Sequence, residues 1–311
     1  MLIRRNFLLL VALLAVVFAV FKGATVWQRA PANSTNAADT PSAEFRAYWF
    51  AGKAELSSYT LDQVQYGRSN PGEAVLIFVT EDFRTDQQVK LESGDRSKAT
   101  TVLKLNAVRK FVTGIYDYSV MTSVFMPVET RLFPHALKVT TSVQEWCGQT
   151  CQQLNLRGRQ YRVMGHSYFE KEADDESSFD RAWLEDELWT RLRLDPESLP
   201  IGAMEVVPSL LFSRLKHQNL KPQPARAALT DTTFQGLNVR VYTLDYPALA
   251  RSVRLFFERP FPHQIIGWEE TSFADGKTLT TRAVRKNTLK IDYWNHNHSA
   301  DQVLRDSLAL Q

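Results

Sequence analysis

Cysteine and glycine are scarce: two and 13 of 311 residues. Two thiols, Cys147 and Cys151, cannot make a disulfide-stapled scaffold or a closed cysteine-rich zinc site. So few glycines leave little material for phosphate-cradling loops. No Gly-rich phosphate loop, no G-x-S-x-G and no H-E-x-x-H string occurs. Those enzyme signatures are therefore missing, and no cofactor is expected. No acid occurs in residues 1–24. The net charge of +3 comes wholly from Arg4, Arg5 and Lys22, which leaves 34 basic and 34 acidic side chains elsewhere. A balanced chain without a long basic run offers no electrostatic footprint for nucleic acid.

Long apolar runs are also missing, with one exception. MLIRR is followed by FLLLVALLAVVFAVF, Phe7 to Phe21, and then Lys22. Two arginines before fifteen uncharged apolar residues fit an export signal. The run is shorter than the roughly 18–20 residues of a spanning helix, but GATVW extends it if Lys22 snorkels. Residues 1–27 are therefore expected to be an uncleaved membrane anchor with the body on the periplasmic side. The alternative is a cleaved signal, with Val17-Phe18-Ala19 as the cleavage candidate, and a soluble periplasmic protein. No Cys lies near the run, which excludes a lipoprotein signal. Residues 28–43, rich in Ala, Pro, Ser, Thr and Asn, read as a flexible linker.

From Ala54 onward, β-branched and aromatic residues recur with period two. AELSSYTLDQVQYG, EAVLIFVTEDF, TTVLKLNAVRKFVTGIYDYSVMTSVFMPVE (broken at Thr113-Gly114), ALKVTTSVQEW and RQYRVMGHSYFE read as strands. AMEVVPSLLFSRL reads as one strand interrupted by Pro208. The clearest meander is LNVRVYTLDY, SVRLFFERP, QIIGWEETSFADG, KTLTTRAVRKN and TLKIDYWNHN. One helix is expected over SSFDRAWLEDELWTRLRLDP, with Ser177 or Ser178 as N-cap. Phe179, Trp183, Leu184, Leu188 and Leu192 form its apolar face, and Glu187 points away from that face. A short helix is expected over the final SADQVLRDSLAL. The absence of strand–helix alternation argues against a parallel sheet. The expected fold is mainly β: a large antiparallel meander sheet or open barrel with one packed amphipathic helix and an N-terminal anchor or signal helix. The body spans 44–311, with two halves joined near 217–236.

WCGQTC, Trp146 to Cys151, holds both thiols. It resembles a thioredoxin motif with one residue too many between the cysteines. A local Cys147–Cys151 disulfide, two free thiols, a redox pair and a metal site are the readings. NHNH puts His296 and His298 on one face of a strand, a spacing metals use, yet two histidines do not complete a site. EKEADDE lacks the central Gly of a calcium loop and reads as a solvated turn. No metal site is assigned. Glu185 and Asp186 are helix neighbours about 100° apart, so they do not make a facing carboxylate pair.

YWFAGKAELSSYTLDQVQYG, EAVLIFVTEDF, VKLES, VLKLN, KFVTGIYDYSVMTSVFMPV, SVQEWCGQ, HSYFE and LEDELW together resemble a family of uncharacterised bacterial exported proteins. The likeness runs from about Tyr48 to near the C-terminus. Members are often lipoproteins; this chain lacks the lipid-attachment Cys. The family's motif holds the equivalent of Cys147 within QEWCG but not of Cys151. Some members carry the label septum formation inhibitor Maf. Maf proteins are cytoplasmic nucleotide pyrophosphatases with an N-terminal Ser-x-Ser-Pro-Arg-Arg, which this sequence does not contain. The resemblance implies a common fold and an envelope location, and no activity.

The expected function is that of a non-catalytic envelope protein. It binds an apolar or amphipathic ligand, such as a lipid, or an envelope assembly partner, and touches the membrane through residues 7–27. The alternative is an envelope hydrolase with dispersed active-site residues, of which Glu145, His166, Glu185 and Asp186 are the first to test.

Overall fold

The computed structural model describes residues 41–310 except Asp275. The expected anchor, 1–27, and nearly all of the expected linker lie outside the described residues. Among the described residues no helix is long and apolar enough to cross a membrane. Residues Ser42–Gln311 form one compact unit.

The alternating sequence folds into one sheet of sixteen strands. The N-terminal meander comprises β1 (Ala54–Gln65), β2 (Arg68–Arg84), β3 (Val89–Lys90), β4 (Ala99–Thr113), β5 (Tyr116–Pro127), β6 (Lys138–Glu145), β7 (Gly148–Arg157), β8 (Gln160–Ser167) and β9 (Asp174–Asp180). The C-terminal meander follows the two-residue β10 (Trp183–Leu184). It comprises β11 (Gly202–Val207), β12 (Gln223–Phe234), β13 (Leu237–Tyr246), β14 (Arg251–Phe257), β15 (Ile265–Ala274) and β16 (Lys277–Ile291). The meanders join where β1 pairs with β16, Ala54 opposite Ile291 and Leu61 opposite Ala283. The path runs from β10 through β16 and β1 to β9, with short β3 beside β2. All ladders are antiparallel except β10 with β11. Only Arg181 and Ala182 separate β9 from β10 in the chain, so the sheet curls until its two edges approach each other, without pairing into a closed barrel. The 217–236 segment, expected to join two halves, carries β12 within this sheet.

Period two puts one set of side chains inside the curl. Leu76, Phe78, Leu105, Val124, Val139, Leu154 and Val163 come from the first meander, and Tyr242, Leu244, Leu255 and Trp268 from the second; all share one core. Helix α2 (Glu185–Leu194) runs through that trough. Helix α1 (Ala43–Trp49) sits at the end where β1 begins, with Trp49 against Phe78. Helix α3 (Leu210–Leu215) sits at the opposite end, where β1 turns into β2. The C-terminal helix α4 (Leu304–Ser307) lies on the outer face, where Leu308 packs with Leu56 and Val79.

Three expectations change. The expected helix, Phe179–Arg193 with Ser177 or Ser178 as N-cap, begins only at Glu185, because Asp174–Asp180 pairs with β8 as strand β9; ladder bonds to a neighbouring strand outweigh local helix pattern there. Helix α2 is not amphipathic: Glu185 through Arg193 are all buried. Its N-terminal amide at Leu184 is capped by Glu187, at 3.1 Å. LLFSRL is helical rather than strand. Pro208 cannot continue the ladder, and the Ser209 hydroxyl caps the new helix by accepting from the Phe212 amide at 3.1 Å.

A fully buried helix bearing this many charged residues needs a partner for each. Arg193 donates to both oxygens of Glu55 at 2.6 and 2.7 Å, and both side chains are only 1% exposed. Glu187 accepts from the Ala136 amide at 2.5 Å and meets His135 Nδ1 at 2.9 Å. Arg191 donates to the carbonyls of Ser198 and Pro134. Glu185 and Asp186 turn toward the α3 end.

Candidate functional site

Glu185 is clamped by Arg251 of β14 through two bonds, at 2.5 and 2.7 Å, and accepts a third from the Tyr246 hydroxyl at 2.9 Å. Glu270 of β15 is paired with Arg109 of β4 at 2.6 Å, and Arg109 also donates to Gln63 at 3.2 Å. Burial alone would raise the Glu270 carboxyl, but Arg109 and then Arg251 outweigh it and hold it below the usual range. Three carboxyls thus meet two guanidinium groups, and Asp186 is the acid left over. It accepts one bond from the Leu210 amide at 2.9 Å. Its carboxyl is pushed up to about 7, chiefly by burial and further by Glu185. Asp186, Glu185, Glu270 and Arg109 line an inner cavity of about 30 Å³, closed off by Ser209, Leu211 and Trp189. That is room for about one water molecule.

Helix α3 is the wall outside this cavity. Asp186 holds its first amide, and Phe212 lies over the Arg251 guanidinium at 4.2 Å. Leu211 packs with Phe111, Tyr118, Val120 and Val143. Arg214 donates to Thr150 Oγ1 at 3.0 Å and pairs with Glu172. A second small space of about 40 Å³, lined by Leu211, Phe212, Leu215, Glu270 and Ser272, lies along the same helix.

Beyond α3 a cleft of about 510 Å³ opens, bounded by the β1–β2 turn, Tyr118, Glu145, Cys147, the last turn of α3 and the start of β16. The Tyr66 hydroxyl joins those of Tyr118 at 2.7 Å and Tyr116 at 3.0 Å. Burial and the Tyr66 bond push the Tyr118 phenol up, and burial and the Tyr116 bond push that of Tyr66 up, so both stay neutral. His217 and Arg214 are both spent on Glu172. Lys216 and Lys277 line the cleft and have no side-chain partner among the described residues.

The sequence-selected residues separate. Glu185 and Asp186 do share one cavity, facing different partners as their helix spacing requires. Glu145 lines the outer cleft and accepts from the Cys147 amide at 2.8 Å. His166 belongs to neither; it is exposed and pairs with Asp174. Cys147 and Cys151 are both exposed and unbridged. Cys147 lies in the β6–β7 turn and Cys151 four residues along extended β7. That is about 13 Å of strand, against the roughly 7 Å at most between bridged α-carbons. His296 and His298 are not on a strand: β16 ends at Ile291, and His296 sits between Asp292 and Asp301. Among the described residues no group of three His, Cys, Asp or Glu side chains is arranged to hold a metal ion. Sequence reasoning missed Arg109, Arg251, Glu270, Tyr118, Arg214 and Lys216. Single polar residues on alternating strands carry no local signal; only the register brings them together.

The chain matches no family model, and neither a curated protein nor a solved structure matches it.

Proposed function

We propose that the protein is a non-catalytic envelope protein that binds one amphipathic ligand with an anionic head at the α3 end. The cleft of about 510 Å³ carries this reading. It offers two cations unpaired among the described residues, Lys216 and Lys277, and neutral tyrosine donors, while Arg214 and His217 are already bonded to Glu172. Phosphate or carboxylate is the matching head group. The trough itself is filled by α2, so a long apolar tail has no inner void to enter. It lies outward, along Tyr66 and Leu279.

Titration of the full chain with soluble short-chain phosphatidylglycerol tests this. Saturable one-to-one binding is expected, and Lys216→Ala with Lys277→Ala should weaken it about tenfold or more, since a charge-assisted bond contributes about 1.5–3 kcal/mol. No saturable binding, together with no co-purifying lipid in native mass spectrometry, would refute it.

One observation favours the hydrolase reading instead. A carboxyl poised near neutrality beside two others is the pattern of an acid–base site. The inner cavity admits no substrate unless α3 moves. Hydrolysis of any envelope ester or glycoside that Asp186→Asn abolishes, with the fold intact, would establish it.

A further inference from the structure

Six short turns join neighbouring strands at the α3 end, and all but the β13–β14 turn, Pro247–Ala250, present a large apolar side chain to solvent. In sheet order these are Phe273 beside the β15–β16 turn, Tyr66 in β1–β2, Ile115 in β4–β5, Trp146 in β6–β7 and Tyr168 in β8–β9. Ile115 is 83% exposed and Tyr168 74%. The opposite end also exposes Leu132, Ile201 and Leu237, but its tight turns between β7 and β8 and between β12 and β13 carry Gly158-Arg159 and Gln235-Gly236. Among the described strand-to-strand turns, exposed tryptophan and tyrosine tips occur at the α3 end alone.

The arc is built rather than accidental. Tyr66 holds φ +55°, a left-handed position where Asn or Gly is usual. Folding gains little from an outward-turned ring there. Tyr168 lies over Gly148, where an added Cβ would meet its ring at 2.7 Å. Trp146 lies 6.3 Å from Tyr116, itself bonded to Tyr66.

We propose that these turns form a docking rim for the interfacial layer of a lipid bilayer. Three features select that occupant. Trp and Tyr rings, apolar with one polar atom, are the side chains enriched at the head-group level. They stand on separate turns with polar backbone between them, unlike the packed apolar centre of a protein interface. Among the described residues, the charges that accompany Phe273 and Tyr66 are Lys277, Lys216 and Arg68, none with a side-chain partner there, and they complement lipid phosphates. Asp117 and Glu145 stand beside Ile115 and Trp146, with Glu145 bonded to the Cys147 amide, but most acids of this end lie at the other extreme of the arc, near Tyr168, where Glu172, Asp174 and Asp175 bond to His217, His166 and Ser177. The rim therefore meets the bilayer with its Phe273–Tyr66–Ile115–Trp146 portion. This inference rests on the turns and not on the cleft's ligand.

Cys147, exposed beside Trp146, gives a local probe. The full chain in a Cys151→Ser background is labelled there with an environment-sensitive fluorophore. It is then mixed with vesicles of phosphatidylethanolamine and phosphatidylglycerol, with and without brominated acyl chains. A blue shift and bromolipid quenching are expected. Ile115→Ser, Trp146→Ser and Phe273→Ser together should abolish both, even where residues 7–27 keep the protein on the vesicles, and should leave soluble phosphatidylglycerol binding intact. Lys216→Ala with Lys277→Ala should do the reverse to ligand binding and retain the shift on these vesicles in reduced degree. A label as open to iodide on vesicles as in solution would overturn the proposal. So would a blue shift that grows with protein concentration in the absence of vesicles, because a second copy would then cover the rim.

Discussion

Replacing Asp186 with Asn isolates the unbalanced charge of the inner cavity. Asp186 is fully buried, and the groups facing it are Glu185 on its own helix, Arg109 on β4, Arg251 on β14 and Glu270 on β15. Its carboxyl titrates at about 7 in the folded protein and at about 3.9 in an unfolded chain. The folded state therefore keeps a proton that the unfolded chain has already released. Stability from this group is fully present at low pH, falls as pH rises from about 4 to about 7, and levels off above. Each pH unit crossed between those two values removes about 1.36 kcal/mol, so the loss between pH 5 and pH 8 is about 2.5 kcal/mol. Asparagine keeps an oxygen for the Leu210 amide and has nothing to titrate. Urea unfolding at both pH values should show Asp186→Asn gaining about 2–3 kcal/mol on wild type as pH rises. His263, whose imidazolium is disfavoured by burial, titrates in both proteins and cancels in the difference. A stability difference that stays constant from pH 5 to pH 8 would refute the assignment of Asp186 as the odd acid.

Three further outcomes are expected. Glu187→Ala should cost about 3–5 kcal/mol, because the Ala136 and Leu184 amides lose their acceptor inside the core. Leu188→Ala should cost about 2–5 kcal/mol, so chemical denaturation should find the two changes comparable. Glu55→Gln should cost about 3–5 kcal/mol by stranding the Arg193 guanidinium, whereas Glu55→Met with Arg193→Met should cost far less; equal losses would mean the pair is not what holds the α1 end. Both thiols should alkylate in native, unreduced protein. Cys147 should react more slowly in the wild type than in Glu145→Gln at neutral pH, because its bond to Glu145 and that group's charge push its thiol up; mass spectrometry of timed quenches reads the difference, which should narrow as pH rises.

Much of the sheet is legible in the sequence. LNVRVYTLDY is β13, Leu237–Tyr246, to the residue, and Thr113-Gly114 does break β4 from β5. The reason is physical: period-two burial on a half-buried sheet writes itself into every strand. Where a segment satisfies two patterns, the sequence misleads. SSFDRAWLEDELW fits a helical stripe, but its first half finds ladder partners in β8. Glu187 reads as solvent-facing because a glutamate on a helix usually is; its buried amide partner at Ala136 comes from about fifty positions away. The same distance hides the site. Arg251 is 66 residues from Glu185, and Arg109 is 161 from Glu270. The local string LEDELW names two members of the cluster and nothing of its charge balance.

That balance also bears on where the proposed ligand would bind. A curled sheet of this size would enclose an apolar calyx if its interior were empty, and a calyx is the usual home of a lipid tail. Here α2 fills the interior. Apolar side chains could fill that space at no loss of stability. Charged ones accept few alternative positions. Each of Glu185, Glu187, Arg191 and Arg193 has a directional partner on the sheet or its connecting loops. Sliding the helix by one turn would leave several charges buried and unpaired. The helix is thereby locked in one register against strands whose inner faces resemble one another, and the trough is closed to a guest. At the α1 end Glu55, Arg193, Tyr48 and Trp49 complete the seal. The α3 end differs. There the last buried acid has no cation of its own, its bond holds a short helix by one amide, and a cleft lined by Lys216 and Lys277 opens beyond. On the proposed reading, a ligand would therefore meet the protein at that end, because the same buried charges close the other.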